Sequence, residues 1–476
     1  MQEHKKSKEN LTQSRKILRY ALFLLFGIGT WLNLNGIWIQ LPLLIPRLSE
    51  GWGLSPQLGM ASNVANIGPL IIVLIRYLTK QSSVYEVPSI CVIYLVGITV
   101  PIVLSFTWFN QVYFLGTTRS LYLLVLSFFL ALVNCTSSVT YLPFVNRFDS
   151  KWLNIYFAGE SLSSLIPALL GLAQGVGKKA ECIQSTDNPL ILTERHYPPR
   201  FSIEIYMYCL SIIMLLSFVA FLFLWRTQPK QKKTVKRDEP VQEVLLNEKE
   251  QEQVQVQLQE IFLNEKEQEQ VQVQLQEIFL NEKEQEQVQV EVVNTQEEKF
   301  TKQTIIYLFI ILWTSILLIG CIPSINSYSL NPYGAATFHY VIILCQCCYP
   351  FVSLISTLFP KLFQVSTIGI IVSTLSGTLA FIYICFTAFL SPCSPFVEET
   401  YGKYIVAVMW LLVYLIFYYE RIALGNYLNK TSGHRGLFWY GFLTQAGAFT
   451  GALTVFTLNA FEVFKERSLC GEYVCH

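Results

Sequence analysis

The sequence predicts an all-α, polytopic membrane protein with about 11 transmembrane helices in a 6 + 5 arrangement. Of its 476 residues, 52% are hydrophobic and only 14% are charged, whereas soluble domains carry about 25% charged residues. The apolar residues form eleven nearly uncharged runs, and most reach the length of about 20 residues that a helix needs to cross a bilayer. Continuous apolar runs indicate helices, because strands of a membrane barrel alternate in polarity.

The predicted spans follow one another with short connections, except after the sixth. They cover residues 20–45, 58–75, 88–108, 120–144, 152–176, 203–225, 303–323, 335–358, 365–390, 404–419 and 437–461. The first run follows a basic arm but is longer than the apolar core of a signal peptide and lacks a small-residue cleavage site. It is therefore predicted to be a retained first span.

The distribution of Lys and Arg predicts the orientation in the membrane. With the amino terminus inside, 22 basic residues fall on the cytoplasmic side and nine on the other, when those in the middle of the long loop are not counted. This excess is what the positive-inside rule requires. An odd number of spans then places the carboxyl terminus outside. Oxidation is possible for the four cysteines predicted to be exterior, which allows one or two disulfides with their pairing open. These are Cys182, Cys393, Cys470 and Cys475.

The chain divides into two helical regions joined by a polar linker, a layout typical of carriers. We assign residues 1–19 to a cytoplasmic arm, 20–225 to spans one to six, 226–302 to a cytoplasmic low-complexity linker, 303–461 to spans seven to eleven, and 462–476 to an extracellular tail. Within the linker the 17-residue unit LNEKEQEQVQVQLQEIF occurs twice, with a truncated third copy. Its polarity favours a solvated tether over the alternative of a coiled-coil module. We expect transport to survive its deletion.

Charge and motifs exclude several functional classes. A net charge of +1 provides no basic field for nucleic acid. The sequence has no GxxxxGK[ST] loop and no HExxH, GxSxG or paired Cys-x-x-Cys motif, which argues against an ATP-driven pump, an enzyme, and a bound cofactor. The cluster Cys345, Cys347 and Cys348 lacks a second ligand pair, so packing is favoured over metal binding. A secondary or facilitative carrier is the class that remains.

Polar residues within spans are the candidate binding residues, because burying them in lipid costs free energy unless they pair or face a cavity. In the first span, Trp31, Asn35 and Trp38 share one helical face, and Gln40 lies beside it. Aromatic rings with an amide suit a flat heteroaromatic ligand, which needs stacking and in-plane hydrogen bonds. Interfacial anchoring explains Trp38 equally well and Trp31 less well.

Further candidates come from the second, fourth and fifth spans. Two amides spaced three apart occupy one face of the second span, and the fourth span carries a dense polar group of which some members serve helix packing. The fifth span holds the one acidic residue that lies well inside an uncharged run. This residue is a candidate to bind a ligand or to carry a proton, and a structural role is equally favoured. These candidates are Asn63, Asn66, Ser137, Tyr141, Glu160 and Ser164.

The second helical region contributes candidates on its seventh, eighth and eleventh spans. Pro323 breaks the seventh span, and proline is tolerated where freed backbone groups line a cavity. A histidine early in the eighth span suits a pH-responsive contact, although a packing role is favoured. The glycine pair Gly447 and Gly451 favours close helix packing. The candidate binding residues here are Ser315, Ser327, Tyr328, His339 and Gln445.

These residues lie in blocks that resemble the animal riboflavin transporter family of solute carriers. The blocks are GTWLNLNGIWIQLP with the following LSEGWGL, ASNVANIGPL, LALVNCTSSVTYLPF, FAGESLSSLIPALLGLAQG, PSINSYSLNPYG with FHY, SPCSPF and TQAGAFTGAL. They occur in order across both helical regions. The resemblance implies an eleven-span plasma-membrane carrier of riboflavin that is independent of sodium and has a large intracellular loop. Its expected partners are riboflavin and the lipid bilayer, with no cofactor.

The resemblance also assigns individual positions. Trp31, Asn35 and Trp38 match the family's first-span motif, and Cys393 and Cys470 stand where the family forms an exterior disulfide. Matches elsewhere are Glu50, Asn66, Ser137, Ser138, Phe144, Glu160, Ser327, His339 and Gln445. The resemblance therefore implies alternating access with the isoalloxazine ring between the helical regions.

The chain departs from the family's pattern in three places. Gln40 stands where the mammalian members have Glu, which removes one possible proton site. Leu318 and Ile319 replace a Thr-Asn pair, and the linker repeat has no counterpart. Two alternatives to riboflavin transport stay open. One is a carrier of another flat heterocycle, such as a nucleobase or a thiamine-like vitamin, and the other is a non-transporting receptor that uses exterior residues 178–200.

Overall fold

The computed structural model describes most of both helical regions. It covers residues 16–79, 86–114, 116–148, 150–176, 181–184, 192–195, 197–228, 301–364 and 366–466. The linker repeats, Cys470 and most of the amino-terminal arm lie outside these residues, and the predictions made for them stay predictions. The two helical regions belong to one compact unit.

The described part of the amino-terminal half contains eight helices and two small hairpins. The helices are α1 Lys16–Ile28, α2 Leu32–Leu44, α3 Leu54–Val64, α4 Ile67–Thr79, α5 Glu86–Thr107, α6 Leu121–Val145, α7 Ser150–Gln174 and α8 Ile203–Arg226. The antiparallel strands are β1 Val112–Phe114 with β2 Thr117–Arg119, and β3 Glu181–Gln184 with β4 Leu192–Arg195. Short 3-10 turns, Ile45–Arg47 and Gly51–Gly53, connect α2 to α3.

Five helices make up most of residues 301–364 and 366–466 of the carboxyl-terminal half. These are α9 Lys302–Ser315, α10 Ile322–Leu330, α11 Ala335–Leu358, α12 Thr367–Phe389 and α13 Gly402–Ala460. A π-helical segment, Ile316–Cys321, joins α9 to α10, and 3-10 turns, Asn331–Tyr333 and Pro360–Phe363, follow α10 and α11. The predicted all-α class is confirmed, because the strands described are confined to the two hairpins.

Helix α13 doubles back on itself and supplies two membrane-length arms, Gly402–Ser432 and Arg435–Ala460. The Tyr440 hydroxyl donates to the backbone oxygen of Arg421 over 3.2 Å, whereas those residues would be about 28 Å apart along a straight helix. The sequence predicts that the tenth span ends at residue 419, because charged residues follow. That boundary is wrong, since Glu420 stays helical and its carboxylate accepts hydrogen bonds from Ser373 and Thr374 of α12.

The described helices do not establish the predicted number of spans. Nine are long and apolar enough to cross a membrane, or ten when α1 and α2, bent by 54°, are counted as one span. The predicted second span is divided between α3 and α4, which break at Ala65 and Asn66. The total of eleven and the 6 + 5 arrangement therefore stay predictions.

The predicted packing role of the glycine pair on α13 is confirmed. A Cβ atom built on Gly451 would lie 2.9 Å from the Cα atom of Gly320, in the π-helical segment. A Cβ atom on Gly447 would lie 2.7 Å from the backbone oxygen of Leu312. The backbones of α9, the π-helical segment and α13 therefore meet with no room for a side chain, as in other small-residue contacts between membrane helices.

We expect Gly451→Leu to destabilise the carboxyl-terminal half. The added side chain must push two backbones apart, and overpacking of this kind costs about 1–3 kcal/mol. The thermal denaturation midpoint of the purified protein in detergent should fall. Gly369→Leu is the matched control, because a Cβ atom there meets only the Ser366 side chain within 4 Å, at 3.6 Å. Equal midpoints for the two variants would contradict the proposed packing.

The halves meet along two seams. On one, α7 packs against α11, and Ser161 Oγ lies 3.3 Å from Ser353 Oγ. On the other, α3 packs against α10 and α13, while the contacts of its continuation α4 are with α6. A Cβ atom on Gly59 of α3 would lie 3.3 Å from the Cβ atom of Ser324 on α10. The second seam is therefore tight along α3 and separates along α4, which leaves a cavity between the halves.

Candidate substrate cavity

The cavity between the halves has a volume of about 450 Å³ and is lined by side chains from both. Helices α2, α3, α6 and α7 contribute from the amino-terminal half. Helices α10 and α11, both arms of α13 and the π-helical segment contribute from the other. Its size lies within the range of about 300–1,000 Å³ that is usual for small-molecule sites.

Eight of the fifteen predicted binding residues line this cavity. They are Trp31, Asn35, Trp38, Asn63, Asn66, Glu160, Ser164 and Gln445. These residues come from α2, from α3 and the break that follows it, from α7 and from α13. The sequence identifies them only one helix at a time, and the fold brings them together. Leu318 and Ile319, the pair that departs from the family pattern, also line the cavity and make that part of its wall apolar.

Helix α2 presents the predicted aromatic face to the cavity. The chain bends between α1 and α2, and Trp31 stands at the start of α2 with Asn35 and Trp38 one and two turns further on. The Trp31 side chain lies close to the carboxyl group of Glu160 on α7. The amide nitrogen of Asn35 donates to the backbone oxygen of Ser163 over 3.4 Å. These contacts hold the face of α2 against α7.

A second aromatic face, on α13, also lines the cavity and was missed in the sequence. Trp410, Tyr414, Tyr418 and Arg421 all line the cavity and are spaced by four, four and three residues, which places them on one helical face. The rings of Trp410 and Tyr414 are 6.2 Å apart, and those of Tyr414 and Tyr418 are 5.6 Å apart. The spacing that identified α2 would have identified this face as well.

Several polar atoms of the cavity wall have no protein partner. Among the described residues, no donor is within hydrogen-bonding reach of the buried side-chain oxygens of Asn66 and Asn326, and the Thr444 hydroxyl is equally unpartnered. Buried polar groups are normally satisfied, and leaving one unsatisfied costs about 1–3 kcal/mol. A ligand that carries several hydroxyl groups would satisfy these atoms.

The other seven predicted residues lie outside the cavity lining. They are Gln40, Ser137, Tyr141, Ser315, Ser327, Tyr328 and His339. Tyr141 is fully buried in an aromatic cluster, with its ring 4.6 Å from that of Phe26 and 5.7 Å from that of Tyr94. The Ser137 hydroxyl donates to the backbone oxygen of Asn134, and that of Ser315 accepts from Arg421. The faces that these residues occupy are turned toward neighbouring helices.

The remaining four of these residues pack around the end of the bundle that the charge pattern predicts to be exterior. Ser327 donates to the backbone oxygen of Trp52 over 2.6 Å, and Tyr328 donates to Asn459 over 2.6 Å. The amide of Gln40 donates to Gln174 over 2.7 Å. The buried ring of His339 lies beside Gly171 of α7. These contacts close the cavity at this end.

Two further predicted positions also belong to this end. The Glu50 carboxylate accepts from the backbone nitrogen and the hydroxyl of Ser120, so its role there is to fix the start of α6. Cys393 takes part in a disulfide bond. Its predicted partner Cys470 lies outside the described residues, so the pairing stays a prediction.

Comparison with known proteins identifies the family. The family model of solute carrier family 52, riboflavin transporter, matches residues 15–466. The chain is 31% identical to riboflavin transporter 2 of Salmo salar over 95% of this chain and 98% of the relative. It is also 31% identical, with the same coverage, to solute carrier family 52, riboflavin transporter, member 3 of Homo sapiens.

A solved structure has a similar fold. It is a bacterial homologue of the human lysosomal transporter Spinster, 13% identical, with a TM-score of 0.51 over 94% of this chain and 82% of that chain. That likeness extends to the fold alone, whereas the family model and the relatives span nearly the whole sequence. The chain therefore belongs to solute carrier family 52, the riboflavin transporters.

Proposed function

We propose that this protein carries riboflavin across the plasma membrane by alternating access, without a cofactor and without catalysis. The observation that carries the proposal is the cavity between the halves, which combines an aromatic face from each half with unpartnered polar oxygens. Riboflavin has the matching chemistry, because it joins a flat isoalloxazine ring to a chain of hydroxyl groups. The relatives of this chain that are named riboflavin transporters support the same substrate.

The two parts of riboflavin are expected to occupy different parts of the cavity wall. The ring would lie between Trp31 and Trp38 of α2 and the aromatic face of α13, since stacked aromatic pairs contribute about 0.5–1.5 kcal/mol beyond their buried area. The ribityl hydroxyls would donate to the unpartnered oxygens of Asn66 and Asn326 and bond the Thr444 hydroxyl. Asn35, Asn63, Ser164 and Gln445 supply further hydrogen-bonding groups.

The proposed orientation places the amino terminus inside and the carboxyl terminus outside. Trp52 is then exterior, where its backbone nitrogen donates to Glu466 over 2.8 Å and its backbone oxygen accepts from Ser327. These bonds join the two halves and close the exterior entrance, while the separation along α4 leaves the opposite end open. The described arrangement is accordingly an inward-facing state.

The predicted residues that lie at the exterior end belong to the entrance in this scheme. When the second seam opens on the exterior side, the substrate would meet Ser327, Tyr328, His339 and Gln40. The proposed disulfide between Cys393 and Cys470 would hold the tail beside the same entrance. The linker between the halves would act as a tether.

Equilibrium binding tests the substrate directly. Purified full-length protein in lipid nanodiscs should bind radiolabelled riboflavin saturably, and unlabelled riboflavin should displace it. Thiamine and nucleobases should displace it poorly. Equal displacement by a nucleobase would favour the alternative of a general heterocycle carrier. Absence of saturable binding would overturn the proposal and leave a receptor role to be tested on the exterior hairpin of β3 and β4.

A further inference from the structure

Trp410, one residue of the aromatic face on α13, is bonded by a chain of buried hydroxyl groups. Its indole nitrogen, Nε1, donates to Ser329 Oγ on α10 over 3.1 Å. Ser329 Oγ lies 2.7 Å from Thr387 Oγ1 on α12. Thr387 Oγ1 in turn donates to the backbone oxygen of Ile384, also over 2.7 Å. Three helices therefore meet around the edge of one ring that lines the cavity.

The direction of this chain follows from the number of hydrogens available. A hydroxyl group has one hydrogen to donate and two lone pairs that accept. Thr387 uses its hydrogen on Ile384, so its oxygen accepts from the Ser329 hydroxyl. The oxygen of Ser329 then accepts from the indole N–H. Every donor in the chain therefore has an acceptor, and the chain ends at a backbone oxygen.

The hydroxyl groups of the chain lie outside the cavity and away from water. Trp410 lines the cavity, whereas Ser329 and Thr387 are not part of its lining, and all three side chains are no more than 1% exposed. A buried indole N–H normally has a partner, because an unsatisfied one carries the full cost of desolvation. The protein itself bonds the N–H of Trp410, so this residue offers a ligand its aromatic surface.

The bond to Ser329 selects one orientation of the Trp410 ring. The torsion that joins the ring to Cβ has two broad minima in tryptophan, and turning the ring over would carry Nε1 away from its acceptor. Tyr414, the next ring along the same face, lies 6.2 Å from Trp410 with 22° between the two planes. The chain of hydroxyl groups therefore fixes the ring plane with which Trp410 contributes to the aromatic face.

We propose that Ser329 and Thr387 are positioning residues for riboflavin binding, which act through Trp410 and do not contact the substrate. This inference rests on the proposed function, in which the isoalloxazine ring packs against the aromatic face of α13. A side chain already held in its bound orientation loses less freedom on binding, and such preorganisation increases affinity. A buried network with every member satisfied provides it, because it rigidifies one arrangement.

Binding of radiolabelled riboflavin to the full-length protein in nanodiscs tests the first link of the chain. Ser329→Ala removes the acceptor of the indole N–H and should raise the dissociation constant by about tenfold, the upper end of the contribution of a neutral hydrogen bond. Ser329→Cys, whose sulfur is a weaker acceptor, should give an intermediate value. Ser105→Ala is the matched control, because that buried serine donates to Ile102 of its own helix α5. Its dissociation constant should be unchanged.

Two substitutions at Thr387 separate positioning from packing. Thr387→Val keeps the volume and loses the hydroxyl that accepts from Ser329, so the dissociation constant should rise by about threefold. Thr387→Ser keeps the hydroxyl and loses a methyl group, so affinity should be kept although the packing is poorer. A role in packing alone predicts the reverse order. The thermal denaturation midpoint of each variant reports the packing, and this pair decides the question if Ser329→Ala does not fold.

A Trp410→Phe background tests whether the effect passes through the indole. Phenylalanine keeps an aromatic ring but has no N–H, so adding Ser329→Ala should change the affinity no further. Full additivity of the two substitutions would overturn the inference. Unchanged affinity in both Ser329→Ala and Thr387→Val, or equal losses in the two Thr387 variants, would overturn it as well. Absence of riboflavin binding by the unaltered protein would instead overturn the proposed function.

Discussion

Trp31→Ala should lower riboflavin uptake at limiting concentration by at least about thirtyfold. The substitution removes a ring that we expect to stack on the substrate, worth about 0.5–1.5 kcal/mol. It also removes the apolar area that the indole ring would bury against the substrate, and burying a large apolar side chain contributes about 1.5–3 kcal/mol. The lower ends of these ranges add to about 2 kcal/mol, which corresponds to that factor.

Two variants separate these contributions in the same uptake assay. Trp31→Phe keeps a stacking ring but has less apolar area, so its uptake should be intermediate. Trp225→Ala removes a tryptophan that is 39% exposed on the outer face of α8, and its uptake should be normal. Normal uptake by Trp31→Ala at matched surface expression would remove Trp31 from the binding site.

A disulfide across the second seam, between α3 and α10, should abolish transport reversibly. The Cβ atoms of Ser324 and of a residue built at position 59 would be 3.3 Å apart, close to the spacing of about 3.5–4.5 Å in disulfides. The double variant Gly59→Cys with Ser324→Cys should therefore cross-link under oxidation and fix α3 to α10. Uptake should fall to background and recover with a membrane-permeable reductant, because alternating access requires this seam to open.

The single cysteine variants are the controls for this cross-link. Each places a new side chain in a tight contact, so each reports the effect of packing without a cross-link. Oxidation and reduction should leave their uptake unchanged. If the double variant were shown to be cross-linked by a mobility shift and still transported at the normal rate, the second seam would not be the moving entrance.

The sequence was informative where one helix carries the whole pattern. The face with Trp31, Asn35 and Trp38 needed only helical spacing, and the structure places it on the cavity. The equivalent face on α13 has the same spacing, but the charged pair Glu420 and Arg421 marks the end of an apolar run. The hydroxyls of α12 that satisfy Glu420 are distant in sequence, so the continuation of the helix could not be inferred.

The sequence was less informative about which neighbour a polar face contacts. Tyr141 and Ser137 belong to a polar group on α6 that includes cavity residues such as Ser138. Their own side chains turn toward α1 and α5 or back onto the helix. The contacts of Ser327 and Tyr328 depend on residues far along the chain, Trp52 and Asn459. Helical periodicity gives the face of a residue but not the helix packed against it.

Uptake of radiolabelled riboflavin tests the central claim most directly. Cells that express this chain would be compared with cells that express the cross-linked double cysteine variant, at limiting riboflavin and with surface expression measured for both. The proposal predicts saturable uptake that excess unlabelled riboflavin blocks and thiamine does not, with background uptake by the cross-linked variant. Good surface expression without riboflavin uptake would contradict the assignment of this protein as a riboflavin carrier.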